Sequence, residues 1–202
     1  MSSGEKAPAP KPFVFSSSGN FDGDDGQWST FSISVGSPPQ SFRILPSTTG
    51  AETWVPITLG CEGGLASVID CGSLRGANDF NGRPSRGFDT SASSTWELIG
   101  TYDLATEQNL WGGSDNQGLY GLDTVALDSN SSGQDARLDS QTVAGVATAK
   151  VWIGSLGLGT SPAHFQIKHG NVPSLLTTMK NKHLIPSLSY GYTAGASYGE
   201  LE

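Results

Sequence analysis

Residues 28–45 read WSTFSISVGSPPQSFRIL, and this stretch decides the fold class. Phe31, Ile33 and Val35 alternate with hydroxyl-bearing residues, which places them on one face of a strand. The Gly-Ser-Pro-Pro-Gln run at 36–40 then interrupts the chain, and apolar residues return directly after it. Two short strands separated by such a break predict a β-hairpin.

The β pattern continues along the chain. Further strands are predicted at residues 53–56, 119–127, 141–147, 151–159 and 187–192. One helix is predicted to begin near Pro173 and to end before Pro186. Its apolar residues Leu175, Leu176 and Met179 follow helical spacing. The sequence therefore predicts an all-β domain with one or two short helices.

Composition agrees with this class and excludes others. The 202 residues include 27 glycines and 11 prolines, and 15% are charged, against about 25% in typical soluble domains. A disordered acidic chain would carry more charge and fewer aromatic residues. The net charge of -8, without a Lys/Arg cluster, argues against a nucleic-acid partner. The sequence contains no run of eighteen apolar residues, so no membrane-spanning helix is predicted.

Three regions are expected along the chain. Residues 1–19 are rich in Pro, Lys and Ser and are predicted to be a flexible N-terminal arm. Residues 20–198 are predicted to form the folded lobe. Residues 199–202, which end in Leu-Glu, are interpreted as the remnant of a purification tag. The acidic run at 21–26 lacks the ligands of a calcium loop and is interpreted as a solvated turn.

Common catalytic and metal-binding sets are incomplete in this chain. The run Gly-Ser-Leu-Gly at 154–157 does not have the spacing of a serine-hydrolase nucleophile elbow. His164, His169 and His183 lack metal-ligand spacing and are interpreted as surface or capping residues. No phosphate-binding glycine loop is present. We therefore expect neither a metal nor a cofactor.

Two features hint at a secreted origin. Cys61 and Cys71 are close enough in sequence to close a small loop, although two free cysteines are the alternative. Asn130 begins the sequon Asn-Ser-Ser, which predicts a glycosylation site, although sequons also occur by chance.

Several segments, in order, resemble the N-terminal lobe of pepsin-like aspartic proteases. The segments that carry the resemblance are ISVGSPPQ at 33–40, FDTSASSTW at 88–96, GLYGLDTV at 118–125, GSLGLG at 154–159 and LIPSLSY at 184–190. The resemblance spans about residues 21–198 and is greatest to fungal secreted or membrane-anchored members. It implies a barrel- or sandwich-like β lobe that forms one half of a bilobal fold. The implied partner is a C-terminal lobe that this chain lacks.

The active-site loop of this family reads D-T-G-S-S-x-x-W-V, whereas residues 47–55 read STTGAETWV. The resemblance therefore places Ser47 at the position of the catalytic Asp. The cleft loop beside it would consist of Thr48, Thr49, Gly50 and Glu52. Thr49 stands at the family's glycine, so the loop backbone is expected to differ. Glu52 is interpreted as a solvated acid at the end of the loop rather than a substitute catalytic carboxylate.

The resemblance also implies a flap and a disulfide. Counting back from Asp123 places the family's flap tyrosine at Trp111, which Gly112 and Gly113 follow. Packing of Trp111 on neighbouring strands is the alternative to a role in the cleft. Cys61 and Cys71 match the small disulfide loop of the family.

Aspartic proteolysis requires two facing carboxylates that share a proton and activate a water molecule. With a serine at position 47, the expected function is that of a non-catalytic, extracellular pseudoprotease lobe, secreted or part of a membrane-anchored ectodomain. Its ligand would be a peptide, a protein or cell-wall material. One alternative is an active acid endopeptidase formed with the second lobe. The other is a structural module that docks onto that lobe without a ligand.

Overall fold

A computed structural model describes residues 11–23, 26–62, 70–104, 117–127, 136–148, 152–161 and 173–193. Within these residues the chain forms eight strands and two short α-helices. The strands are β1 (Ser17–Asp22), β2 (Trp28–Val35), β3 (Gln40–Ser47), β4 (Trp54–Pro56), β5 (Glu97–Asp103), β6 (Gln117–Leu127), β7 (Ala136–Val146) and β8 (Gly154–Gly157). The helices are α1 (Cys71–Leu74) and α2 (Leu175–Asn181). The predicted all-β class is confirmed.

The strands form one sheet in the order β1-β2-β3-β8-β4-β7-β6-β5. β2 also pairs with β6, so the sheet closes on itself between these two strands. A closed sheet of this kind is a small barrel, whose interior is filled by side chains. β3 and β8 run parallel, and this pairing sets Ser47 opposite Gly157.

The predicted hairpin is confirmed as β2 and β3, which pair antiparallel with Val35 opposite Gln40. Gly36 has a φ of 93°, a left-handed conformation that glycine adopts without strain. A Cβ there would also lie 2.9 Å from the Ser93 hydroxyl. The alternation of apolar residues turns Ile33 and Val35 into the core, as the pattern predicts.

Two clusters of buried side chains fill the lobe. The larger one gathers residues from β2, β3, β6, β7, β8 and α2, among them Ile33, Ile44, Val125, Leu138, Leu156 and Leu175. The smaller one consists of Trp54, Leu104, Tyr120, Ala144 and Val146. Tyr102 and Ile99 of β5 pack against the smaller cluster. The smaller cluster therefore lies where β4, β6 and β7 meet the end of β5 and Leu104.

The single predicted helix is present as α2, although it starts slightly later than expected. Ser174 is its N-cap, and the Ser174 hydroxyl accepts a hydrogen bond from the backbone N–H of Thr177 at 3.3 Å. Leu175 and Met179 are buried against the larger cluster. His183 follows the helix with a φ of 57°, so this histidine lies at the helix C-terminus, as the capping interpretation anticipated.

Two sequence predictions about the ends of the lobe are wrong. Residues 187–192 are not a strand; they form bends and irregular chain. Residues 17–19, which the sequence places in a flexible arm, belong to β1, and the nearby Phe13 and Phe15 pack against the larger cluster. Both errors arise because local composition does not show which apolar side chains find a tertiary partner.

Asp22 is not part of a solvated turn, as the sequence suggested, but forms an ion pair with Arg43 of β3. Arg43 Nε and Nη2 donate to the two carboxylate oxygens of Asp22, each over 2.9 Å. Thr30 also donates to Asp22 at 2.8 Å. Burial would raise the pKa of Asp22, but the hydrogen bonds from Arg43 and Thr30 outweigh it and hold this pKa below its usual value. The pair fixes β1 onto the hairpin.

Cys61 and Cys71 form a disulfide, as the sequence spacing allowed and the resemblance implied. Arg75, directly after α1, is completely buried. Its guanidinium donates to the backbone carbonyls of Val146, Thr148 and Trp152 over 3.1–3.3 Å. Burial lowers the pKa of Arg75 to about 10, which leaves it charged at neutral pH. The disulfide region is thereby attached to the end of β7.

Candidate functional site

Ser47 is the last residue of β3 and begins the segment that we call the Ser47 loop, residues 47–53, which leads into β4. Ser47 is half-buried, and the next two residues, Thr48 and Thr49, are exposed. The loop therefore presents three hydroxyl groups in succession near the surface. Gly50 then turns inward and is buried.

Hydrogen bonds within the loop involve the Ser47 hydroxyl. Ser47 Oγ accepts a hydrogen bond from the backbone N–H of Gly50 at 3.2 Å and lies 3.4 Å from Thr49 Oγ1. Thr49, which the resemblance places at the family's glycine, is not among the described non-glycine residues with a positive φ. The turn therefore accommodates a Cβ at position 49.

The glycine-rich strand β8 and the residues after it support the loop from one side. Leu158 N–H donates to the Ser47 carbonyl at 2.8 Å, and Gly159 N–H donates to the Gly50 carbonyl at 2.7 Å. A Cβ on Gly157 would lie 2.5 Å from the backbone carbonyl oxygen of Glu52. The loop backbone therefore approaches β8 at a distance that only glycine permits.

Glu52 corrects the sequence interpretation most clearly. It is 6% exposed rather than solvated, and Glu52 Oε2 accepts a hydrogen bond from the Tyr120 hydroxyl at 2.8 Å. Tyr120 is 1% exposed and belongs to the smaller core cluster. A carboxylate is stable in such surroundings only when it is hydrogen-bonded. The only acidic residue of the Ser47 loop is thus held inside the lobe.

The electrostatics of this pair favour the phenol as donor. Burial, together with the charge of Glu52, its hydrogen bond and the charge of Asp103, raises the pKa of Tyr120 far above its usual value. Tyr120 therefore stays protonated throughout the physiological range, and its hydroxyl donates a hydrogen bond to Glu52.

The other predicted site residues are distributed as follows. Trp111, Gly112 and Gly113, predicted to form the flap, and Asn130, predicted to be glycosylated, lie outside the described residues. Asp123 of the GLYGLDTV segment is buried and accepts hydrogen bonds from Thr95 Oγ1 and from the Thr124 N–H. This contact joins two segments of the resemblance, because Thr95 belongs to FDTSASSTW.

An apolar groove of about 670 Å³ lies beside the Ser47 loop. It is lined by aromatic and apolar side chains from the N-terminal segment, β2, α2 and residues 185–193, among them Phe13, Phe15, Phe31, Met179, Tyr190 and Tyr192. The Phe31 ring is 5.0 Å from that of Phe15 and 6.0 Å from that of Tyr192. Pro46 and Leu158 line the groove as well. Pro46 directly precedes Ser47, and the Leu158 N–H donates to the Ser47 carbonyl. The groove and the Ser47 loop are therefore adjacent.

Sequence reasoning missed Tyr120 as part of this site. In the sequence, Tyr120 is part of the segment GLYGLDTV, where an apolar side chain would serve the core equally well. The signal lay in the combination of a tyrosine in a strand and a glutamate in a loop, and only the fold brings these two together. In the part of the chain that the structure describes, no group of three or more His, Cys, Asp or Glu side chains could hold a metal ion.

Comparison with known proteins gives one family. A family model described as eukaryotic aspartyl protease matches residues 30–199, which is well over half of the chain. No curated protein matches the chain. In the described ranges, no helix has the length and apolar character needed to cross a membrane.

Proposed function

This chain belongs to the eukaryotic aspartyl protease family, and on that premise we propose that it is a non-catalytic, pepsin-like lobe that binds a ligand rather than cleaving a peptide. The observation that carries the proposal is that β3 ends at Ser47, the residue that the family resemblance aligns with the catalytic Asp. A serine hydroxyl can hydrogen-bond a water molecule, but it cannot take a proton from it. The shared-proton carboxylate pair therefore cannot form, whatever the second lobe contributes.

The surroundings of Ser47 support this proposal. The Ser47 hydroxyl accepts a hydrogen bond from Gly50, and the loop backbone is anchored to Leu158 and Gly159. Glu52, the acid of the loop that could be imagined as a substitute, is buried and bonded to Tyr120. A general base must reach the attacking water, and general-base catalysis alone contributes about 10²–10⁴-fold. We therefore expect negligible peptidase activity from the protein, even though hydrogen bonds hold the Ser47 loop in place.

The decisive experiment compares three forms of the two-lobed protein on a denatured protein substrate from about pH 2.5 to about 6. The forms are the unmodified protein, Ser47→Asp and Ser47→Ala as the matched control. We expect no pepstatin-sensitive cleavage from the unmodified protein or from Ser47→Ala. Cleavage that appears only in Ser47→Asp supports the proposal strongly. Pepstatin-sensitive cleavage by the unmodified protein would instead favour the active endopeptidase and end the pseudoenzyme interpretation.

The ligand class proposed is a peptide, a protein or cell-wall material outside the cell. The disulfide between Cys61 and Cys71 supports an oxidising compartment, because such bonds are rare in the cytosol. Peptide and glycan arrays probed with the two-lobed protein test the ligand class. Treatment of protein from a secreting host with an N-glycosidase tests Asn130, since a mass decrease that Asn130→Gln abolishes would establish the glycan.

A second function, docking onto the C-terminal lobe, is favoured by the apolar groove beside the Ser47 loop. Tyr190 and Tyr192 line the groove and are 44% and 48% exposed, so the groove leaves aromatic surface open to solvent. If the second lobe covers the groove, hydroxyl-radical labelling of these rings falls in the two-lobed protein relative to this chain alone. Trp28, which is 54% exposed and does not line the groove, serves as the control. Equal labelling of the rings in both proteins would contradict docking there.

A further inference from the structure

The hydrogen bond between Glu52 and Tyr120 connects two parts of the molecule that are 68 residues apart in sequence. Glu52 belongs to the Ser47 loop, and Tyr120 belongs to β6, one strand of the β5–β6 hairpin. A loop that merely joins two strands has no need of a buried acid. Burying a carboxylate costs free energy unless its partners compensate, so its presence here calls for a role.

The loop is held on two sides. On one side, the N–H groups of Leu158 and Gly159 donate to the loop carbonyls, and Gly157 lets the backbone at Ala51 approach. On the other side, the Glu52 side chain reaches Tyr120. The contacts with β8 are made by backbone atoms in the space that Gly157 leaves. The contact with Tyr120 depends on two particular side chains.

The hairpin end of this contact is firmly placed. The Tyr120 ring lies 6.0 Å from that of Tyr102 on the paired strand β5, and Trp54, Leu104 and Ala144 belong to the same cluster. Six positions of β5 pair with β6. A displacement of the hairpin would therefore move the Tyr120 hydroxyl, and Glu52 would have to follow it or lose its hydrogen bond.

We propose that Glu52 is a positioning residue: its hydrogen bond to Tyr120 fixes the conformation in which the loop presents Ser47, Thr48 and Thr49, and it couples this loop to the β5–β6 hairpin. The proposal deepens the proposed function, since it concerns the loop on which that function rests. The positioning role of Glu52 can be tested without measuring cleavage or ligand binding. Its failure would therefore leave the proposed non-catalytic function standing, and the reverse also holds.

Amide hydrogen exchange in this chain, read residue by residue by NMR, tests the proposal. The reporters are the N–H groups of Gly50 and Leu158, which donate to the Ser47 hydroxyl and the Ser47 carbonyl. The reference is the ladder between β6 and β7, which reports global opening. Local loosening of the loop accelerates only the reporters, whereas a general loss of stability accelerates both sets.

The central variant is the double substitution Glu52→Leu with Tyr120→Phe. Replacing both partners of a buried hydrogen bond by apolar groups can be nearly neutral for stability, and the reference amides show directly whether this variant is folded. We expect its reporter amides to exchange at least about tenfold faster while the reference amides stay within about threefold. Glu52→Gln keeps an acceptor oxygen for Tyr120 and is expected to keep wild-type reporter rates.

Tyr102→Phe is the matched control, because it removes a hydroxyl group from the ring next to Tyr120 and leaves the hydrogen bond between Tyr120 and Glu52 in place. Its reporter rates are expected to match the wild type. Unchanged reporter rates in the double variant would overturn the proposal. Equal acceleration of reporter and reference amides would overturn it too, because the pair would then merely stabilise the fold.

Discussion

Ser47 ends β3 beside Gly157, which ends β8, and the two residues are paired in parallel register. The pairing places the loop after β3 directly over a strand that has no side chain at this point. Ala51 and Glu52 use that space with their backbone atoms. The shape of the loop is therefore set jointly by its own sequence and by a glycine about one hundred residues later.

Gly157→Ala is predicted to destabilise the lobe because of this contact. The added Cβ would lie 2.5 Å from the Ala51 carbonyl carbon and 2.6 Å from the Glu52 nitrogen, both backbone atoms that cannot rotate away. Overpacking of this kind costs about 1–3 kcal/mol, measurable by urea unfolding. Gly191→Ala is the control, since a Cβ there meets no atom within 4 Å. Equal stability of the two variants would mean that the loop is not seated on β8.

The ion pair between Asp22 and Arg43 predicts a pH-dependent contribution to stability. The pKa of Asp22 is lower in the folded lobe than in the unfolded chain, because Arg43 and Thr30 donate hydrogen bonds to the carboxylate, so ionisation favours folding. The stabilisation is fully present above about pH 5 and is lost as the pH falls through the folded pKa. Asp22→Asn is expected to lose about 1–3 kcal/mol at pH 6, and the difference from wild type should shrink below about pH 4.

Asp139→Asn provides the comparison for that experiment, because Asp139 pairs with Arg137 at the surface and its side chain is 66% exposed. Its stability change is expected to stay below about 0.5 kcal/mol. Denaturant midpoints measured across the pH range give both curves. A pH-independent effect of Asp22→Asn would show that packing, rather than charge, accounts for it.

Arg75→Met is predicted to destabilise the lobe by at least about 2 kcal/mol, because it removes the donor from three backbone carbonyls at the end of β7. Arg75→Lys retains the charge with a different donor geometry and is expected to lose less. Arg137→Met, at an exposed position, is the control and is expected to change stability by under about 0.5 kcal/mol. Thermal unfolding followed by circular dichroism ranks the three variants. Similar losses in Arg75→Met and Arg137→Met would contradict the structural role of Arg75.

Removal of the disulfide is predicted to cost about 2–3 kcal/mol. Cys61 and Cys71 are 10 residues apart, and closing a loop of that length restricts the unfolded chain by about this amount. The double variant Cys61→Ala with Cys71→Ala, compared with the reduced wild-type protein, separates the loss of the bond from the loss of the sulfur atoms. If both forms are as stable as the oxidised protein, the bond does not contribute to folding stability.

The sequence by itself determined the fold class, and its resemblance to the family is the basis for the proposal that Ser47 replaces a catalytic Asp. Alternating apolar residues such as Ile33 and Val35, broken by the Gly-Pro run, specify a hairpin because strand periodicity and turn chemistry are local properties. The spacing between Ser47 and the pair Trp54-Val55, on which the alignment with the family's active-site loop depends, can also be read directly from the sequence. The helix α2 was also predictable, since its apolar spacing and its terminal prolines lie within one short segment.

Only the tertiary structure decided the environment of the acids and the end of the lobe. The sequence predicts Glu52 and Asp22 to be solvated because each lies in a segment that is typical of a loop or turn, yet contacts with Tyr120 and Arg43 bury them. Residues 187–192 have the alternation of a strand but are not paired with any strand in the described part of the chain, and a strand forms only where its backbone groups find partners. Burial and hydrogen bonding depend on contacts between distant segments, and the closed sheet creates those contacts.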